Sequence, residues 1–187
     1  MATKCTEALS RLEEQTGIPI AELDVVKLLG LYPAIEKMDS SLSKLSNCEQ
    51  LSMSTNAIER IGSLQGLHSL KILSLGRNQI KRIENLDAVA GTLEQLWLSH
   101  NNIERLTGLS NLQNLKILFV RCNRISSLSE IDRLVDLASL EELDLRGNPI
   151  VETLGDNWRP EVLRRLRNLK TLDGIAVTFE ESQLFQS

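Results

Sequence analysis

LKILSLGRNQIKRIENLDAVAGTLEQLWLSHNNI, the stretch from Leu70 to Ile103, decides the fold. It contains two passes of one pattern, Leu70/Leu73/Leu75/Asn78/Ile80 and Leu93/Leu96/Leu98/Asn101/Ile103, of the form L-x-x-L-x-L-x-x-N-x-I. Working outward, the same frame holds Cys48/Leu51/Met53/Asn56/Ile58, Leu115/Leu118/Val120/Asn123/Ile125 and Leu140/Leu143/Leu145/Asn148/Ile150. From Asn56 to Asn148 the successive spacings are 22, 23, 22 and 25 residues. The first half of each copy alternates with period two, which specifies a short strand. The second half continues with period three, as in Ile61, Leu64 and Leu67 or Leu106, Leu109 and Leu112, which suits tight helical turns that return the chain to its starting side.

A single coil of this kind cannot bury its own apolar stripe, so the coils must stack on one another. The sequence therefore specifies an α/β fold, a leucine-rich-repeat right-handed solenoid. Its strands form a concave parallel β-sheet, its short helical turns lie on the convex side, and helical caps close both ends. The five Asn amides fall where strand becomes loop and are expected to bond main-chain groups of adjacent coils as an interior ladder. Each such bond is worth roughly 1 kcal/mol net, and an orphaned buried amide costs more. The three extra residues of the last interval are expected to bulge on the convex side near Val135 to Ser139.

The 187 residues are sufficient for one domain. Residues 1–47 read as a helical cap and half-repeat, 48–154 as five repeats, 155–174 as a capping helix with its Leu172-Asp173-Gly174 motif, and 175–187 as a tail. At the front, Thr6 to Leu12 reads as an amphipathic helix, and Ala21 to Leu29 directs Leu23, Val26 and Leu28 or Leu29 to one side. Ile35, Met38, Leu42 and Leu45 then form a degenerate half-coil. At the back, Asp156 or Asn157 is positioned to cap a helix with Pro160 in its first turn. The other face of that helix carries Arg159, Arg164, Arg165 and Arg167. Two readings of this secondary basic face stand: a solvated cap surface, or a docking site for an acidic partner such as a microtubule.

A net charge of −4 argues against a general nucleic-acid binder, which needs a positive surface. The amino terminus MATKCTEALSRLEEQ lacks the apolar run of a signal peptide, and no segment has the ~20 apolar residues of a membrane span. The expectation is a soluble intracellular protein, monomeric on its own, with no membrane partner. Cys5, Cys48 and Cys122 lack metal spacing and read as reduced thiols. His68 and His100 lie in different parts of the coil, and Glu142 and Asp144 beside Arg146 read as a charged rim rather than an acid/base pair. No catalytic residue, cofactor site or metal site is expected.

The x positions beside the strand leucines point out of the sheet. They change along the array, from Gln50, Ser52 and Ser54 through Ile72, Ser74 and Arg77 to Gln95, Trp97 and His100, then Ile117, Phe119 and Arg121, then Glu142, Asp144 and Arg146. Trp97 and Phe119 fall at one position in adjacent coils and should stand about 5 Å apart, with Ile72 and Ile117 nearby. Arg77, Arg121 and Arg146 are read as a row at equivalent positions, with His100 between them. Large aromatics ringed by arginine have the composition of an interface hot spot. The candidate partner-binding set is Ile72, Arg77, Gln95, Trp97, His100, Ile117, Phe119, Arg121, Asp144 and Arg146.

The quoted stretch, with IEKMDSSLSKLSNCEQLSMSTNAIERI before it and the Asn85-Leu86-Asp87-Ala88-Val89 run, resembles the leucine-rich-repeat light-chain family of axonemal outer-arm dynein. The likeness covers nearly the whole chain. It implies a non-catalytic subunit in the cytoplasm and cytoskeleton, at the axoneme of a cilium or flagellum. Its implied partner is the microtubule-binding domain at the stalk tip of an outer-arm dynein heavy chain, contacted by the strand face, with tubulin or the microtubule as a further contact. The chain departs from that family in having Phe119-Val120 where Tyr-Met is usual, and a short acidic tail where basic residues are usual. Asn168 to Gly174, NLKTLDG, is similar to a capping motif shared with a phosphatase regulator and a spliceosomal repeat protein. A phosphatase regulatory subunit and a general ciliary assembly scaffold are thus the alternative readings.

Overall fold

In the computed structural model, which describes residues 2–183, each L-x-x-L-x-L frame places three residues in a strand and the chain returns through turns. The strands are β1 (Val25–Lys27), β2 (Gln50–Ser52), β3 (Ile72–Ser74), β4 (Gln95–Trp97), β5 (Ile117–Phe119), β6 (Glu142–Asp144), β7 (Thr171–Leu172) and β8 (Ile175–Ala176). They lie side by side in chain order, β1 to β7 parallel and β8 antiparallel to β7. The register stacks Val26, Leu51, Leu73, Leu96, Leu118, Leu143 and Leu172 into one inward column. All seven are 0% exposed, so the column is a continuous dry seam.

The Asn ladder forms as the spacing requires. Asn101 Nδ2 donates to Leu75 O of the preceding coil and Leu98 O of its own, both at 3.0 Å, and its Oδ1 accepts from Ile80 N at 2.9 Å. Asn78, Asn123 and Asn148 make the corresponding three contacts, and Asn56 does the same toward Leu28, Met53 and Ile35. The residue before each Asn turns the corner left-handed, with φ of 60°, 54°, 59° and 53° at Thr55, Arg77, His100 and Cys122. In the last coil this position is Gly147 at φ 70°, where a Cβ would lie 2.8 Å from Cys122 Sγ.

A further column precedes the strands. Glu49, Lys71, Glu94, Lys116, Glu141 and Lys170 alternate in sign, and Lys71–Glu49, Lys116–Glu94 and Lys170–Glu141 pair at 2.9, 2.8 and 2.7 Å. These pairs are half-exposed and individually weak, but a one-coil slip would set like charges against each other.

Four sequence expectations need correction. Ala21 to Leu29 is not a helical cap: a short 3₁₀ turn at Ile20–Glu22 leads into β1, which makes a full coil of what read as a half-coil. Leu23-x-x-Val26-x-Leu28 obeys the repeat frame, but Leu31 stands where the other coils have Asn, and Leu29 is exposed. The extra three residues of the long interval lie in a convex helix earlier than expected, α2 (Leu128–Asp132). Here buried Glu130 accepts from Leu106 N at 2.8 Å, which ties the helix to the coil before it.

The other two corrections concern the caps. The front helix forms as expected, α1 (Cys5–Thr16), stopped by Gly17 at φ 67°. At the back, α3 (Pro149–Leu154) precedes α4 (Trp158–Arg165), but neither Asp156 nor Asn157 supplies a side-chain cap. The end is closed instead by Asp173, whose Oδ1 accepts from Leu145 N at 2.7 Å and whose Oδ2 accepts from Trp158 Nε1 at 2.8 Å. The segment read only as a tail carries regular structure through residue 183: β8 pairs with β7, and α5 (Phe179–Gln183) follows. Leu184 and Phe185, read as part of the tail, lie outside the described residues.

Candidate docking face on the strand side

The inward strand residues are consumed by the core, so chemistry must come from the outward ones. The register sets Lys27, Ser52, Ser74, Trp97, Phe119 and Asp144 in one outward column, and Val25, Gln50, Ile72, Gln95, Ile117 and Glu142 in the next. Trp97 and Phe119 stand together, ring centroids 5.7 Å apart and planes tilted by 37°. No cap folds over them, and Trp97 is 38% exposed. A tilted pair at this spacing is favourable in itself, so the two rings hold each other as one platform. Ile117 lies two residues before Phe119, and Ile72 is separated from Ile117 by Gln95; all three are half-buried. On the other side of the rings the column shrinks to buried Ser74 and Ser52, with Ser54 and Ser74 hydroxyls 2.9 Å apart.

The cationic row differs from the expected one. Arg121 and Arg146 do occupy equivalent positions, two residues before their Asn, but Arg77 is one residue further along and shares its position with His100. The ladder shows this directly: Arg77 N donates to Ser99 O, and His100 N to Arg121 O. Two staggered rows result, forced on Arg77 and His100 by the left-handed corner they occupy.

Nor are the charges equivalent. Asp144, 8% exposed, accepts from Arg146 Nε at 3.0 Å and Nη2 at 2.5 Å, and from Arg146 N at 3.1 Å. Burial alone would raise the Asp144 carboxyl, but the Arg146 bonds and the nearby Arg121 charge outweigh it and hold the group below its ordinary range. Arg146 is raised in turn by its bond to Asp144. Asp144 and Arg146 thus satisfy each other. Arg77, His100 and Arg121 are exposed, and among the described residues their side chains make no hydrogen bond.

The secondary basic face is largely committed to the fold. Half-buried Arg159 bonds Glu181 at 2.5 and 3.0 Å together with Leu172 O and Ala176 O, and its guanidinium lowers Glu181 to about 2. Arg165 pairs with Glu161 and Asp132, and Arg164 with Glu161; Arg167 is exposed. Arg159 and Arg165 are internal clamps, the first fixing α5 against the end of the sheet.

Among the described residues no group of three or more His, Cys, Asp or Glu is placed to hold a metal ion. None of the described helices is long and apolar enough to cross a membrane. Cys5 and Cys48 are buried and Cys122 half-buried, all as free thiols, and burial pushes Cys48 up to about 11. A cleft of about 470 Å³ bounded by Met38, Arg60, Ile61 and Asn85 lies away from the strand face.

Comparison with known proteins agrees with this architecture. The Leucine Rich repeats (2 copies) family profile matches residues 92–133, and the Leucine Rich Repeat profile matches residues 139–160. An internalin of Listeria monocytogenes superposes with a TM-score of 0.58 at 26% identity, covering 82% of this chain and 49% of that one. The chain is 52% identical to Dynein axonemal light chain 1 of Chlamydomonas reinhardtii, covering 97% of this chain and 94% of that protein. It is 56% identical to the Danio rerio protein of the same name, covering 97% and 96%. With this identity across nearly the full length of both chains, the protein belongs to the dynein axonemal light chain 1 family.

Proposed function

We propose that this chain is a non-catalytic light chain of axonemal outer-arm dynein whose strand face binds the microtubule-binding domain at the stalk tip of a heavy chain. The family belongs to the axoneme, the cytoskeletal core of the cilium or flagellum, and a light chain implies a heavy chain to hold. The observation that carries the choice of face is the solvent-facing Trp97–Phe119 platform. Aromatic anchors beside charges with no internal hydrogen bond are the composition of a hot spot, and rim charges accelerate docking of an oppositely charged partner. Trp97, Phe119, Ile117 and Ile72 form the buried centre, with Gln95 between them, while Arg77, His100 and Arg121 steer an acidic surface. Asp144 and Arg146 contribute a fixed, self-neutralised edge.

By occupying the stalk-tip domain, such a subunit tunes how the motor engages the microtubule. Calorimetric titration of the full chain with a purified outer-arm stalk and its microtubule-binding domain tests the partner. Micromolar or tighter binding is expected. No heat of binding from the folded protein would move the assignment to a general ciliary scaffold or a phosphatase regulatory subunit.

A further inference from the structure

The two ends of the sheet are finished differently. At the carboxyl end the parallel array stops in an antiparallel hairpin, and the Arg159 guanidinium occupies Leu172 O and Ala176 O. At the amino end, β1 is the last strand. Its register commits Asp24, Val26 and Leu28 to β2: Glu49 N and Gln50 N donate to Asp24 O, Leu28 N donates to Ser52 O, and Asn56 Nδ2 donates to Leu28 O. The intervening residues, Val25, Lys27 and Leu29, therefore aim their N–H and C=O groups outward. Among the described residues none of those groups has a hydrogen-bond partner.

The side chains of this edge are unusual for one facing water. Val25 is 39% and Leu29 49% exposed, with Lys27 exposed between them. A row of unpaired backbone groups flanked by apolar side chains is a template for strand addition. Lys27 selects the occupant. A second copy pairing antiparallel about a two-fold axis at Lys27 would set Val25 against Leu29 of the copy and Lys27 against Lys27, and like charges directly opposite are unfavourable. A strand with a carboxylate at that position has the complementary charge.

We propose that the β1 edge is a second docking site, which receives an extended segment of a partner protein as an antiparallel strand with an acidic residue opposite Lys27 and apolar residues opposite Val25 and Leu29. The residue opposite Lys27 exchanges both main-chain hydrogen bonds with it. The added strand lengthens the concave sheet by one and leaves the aromatic platform free, so the two faces can be occupied at once.

Amide exchange by NMR on the ¹⁵N-labelled full chain tests this, with two synthetic peptides, Thr-Val-Thr-Glu-Thr-Val-Thr and its counterpart with Lys at the centre. In the free protein, Val26 and Leu28 should exchange slowly and Val25, Lys27 and Leu29 fast. The Glu-centred peptide should slow those three amides and bind about tenfold more tightly than the Lys-centred one, a difference that should shrink in high salt. In Lys27→Glu, a change at an exposed site that should leave the melting temperature in place, the preference should invert. Equal effects of the two peptides, or perturbation confined to Trp97 and Phe119, would overturn the proposal. Concentration-dependent dimerisation through this edge in sedimentation would overturn it in favour of a second copy. None of these readouts involves the stalk domain, so the proposal stands or falls separately from the strand-face assignment.

Discussion

Leu96 and Trp97 are neighbours on β4 but belong to different surfaces of the sheet. The inward surface is uniform: each of the parallel strands β1 to β7 contributes a fully buried aliphatic residue to one column, and Asn side chains stitch the repeats each to the coil before. The outward surface varies, from serines at the early coils through two aromatics to a locked Asp144–Arg146 pair. Uniformity on one side and variation on the other show that the repeat specifies the scaffold, while specificity is written in positions the repeat leaves open.

This division predicts that changes on the two surfaces have separable effects. Leu96→Ala removes a side chain at 0% exposure and should cost roughly 2 to 5 kcal/mol in a denaturant titration. An unchanged midpoint would break the comparison at its inward side. Asn101→Leu removes three hydrogen bonds: Ile80 N loses its acceptor, and Leu75 O and Leu98 O each lose one of two amide donors, keeping those of Asn78 and Asn123. At roughly 1 kcal/mol for each bond it should cost about 3 kcal/mol, more than any exposed substitution.

Trp97→Ala should do the reverse, costing only about 1 kcal/mol of stability through the lost ring pair while weakening binding of the heavy-chain domain by on the order of 2 kcal/mol. Intact affinity would remove the strand face from consideration. Arg121→Glu should slow association by about tenfold at low salt, with most of the effect lost at high salt, as stopped-flow mixing can show.

The smallest effect concerns the fixed edge. Asp144 is held below its ordinary 3.8, so the stability it contributes is fully present above that value and is lost as pH falls through the lower folded value. Carboxyl NMR should place its titration below 3.8 in the native chain. In Arg146→Ala, burial should raise it; a titration that does not move would show that Arg146 is not what holds it down.

Much of this was legible in the sequence, because the repeat frame fixes register and register fixes facing. The Leu and Asn positions and the outward Trp97 and Phe119 follow from counting along the frame, whereas the family resemblance rests on the particular residues of the Leu70 to Ile103 stretch and its flank. What counting missed has physical causes. β1 was hidden because Leu31 replaces the Asn that marks the other coils, although Leu23-x-x-Val26-x-Leu28 was present. The arginine row was misaligned by one residue because Arg77 sits next to its Asn while Arg121 and Arg146 sit one residue earlier. That distinction decides which residue takes the left-handed corner. The burial of Asp144 by Arg146, and of Arg159 by Glu181, depends on long side chains whose direction periodicity does not encode. The alternating Glu/Lys column could have been read from the sequence alone, since its members share one position in the frame.

The central claim is that the outward aromatic platform is the surface that leaves water when the heavy chain binds. The chain has two tryptophans, Trp97 on the platform and Trp158 buried at the carboxyl end. Labelling this protein alone with 5-fluorotryptophan should give two ¹⁹F resonances, and only that of Trp97 should show a pronounced shift between H₂O and D₂O. On adding the unlabelled stalk domain, the Trp97 resonance should move and lose its solvent-isotope shift while that of Trp158 stays in place. A bound complex in which Trp97 keeps its free position and its full isotope shift would contradict the account.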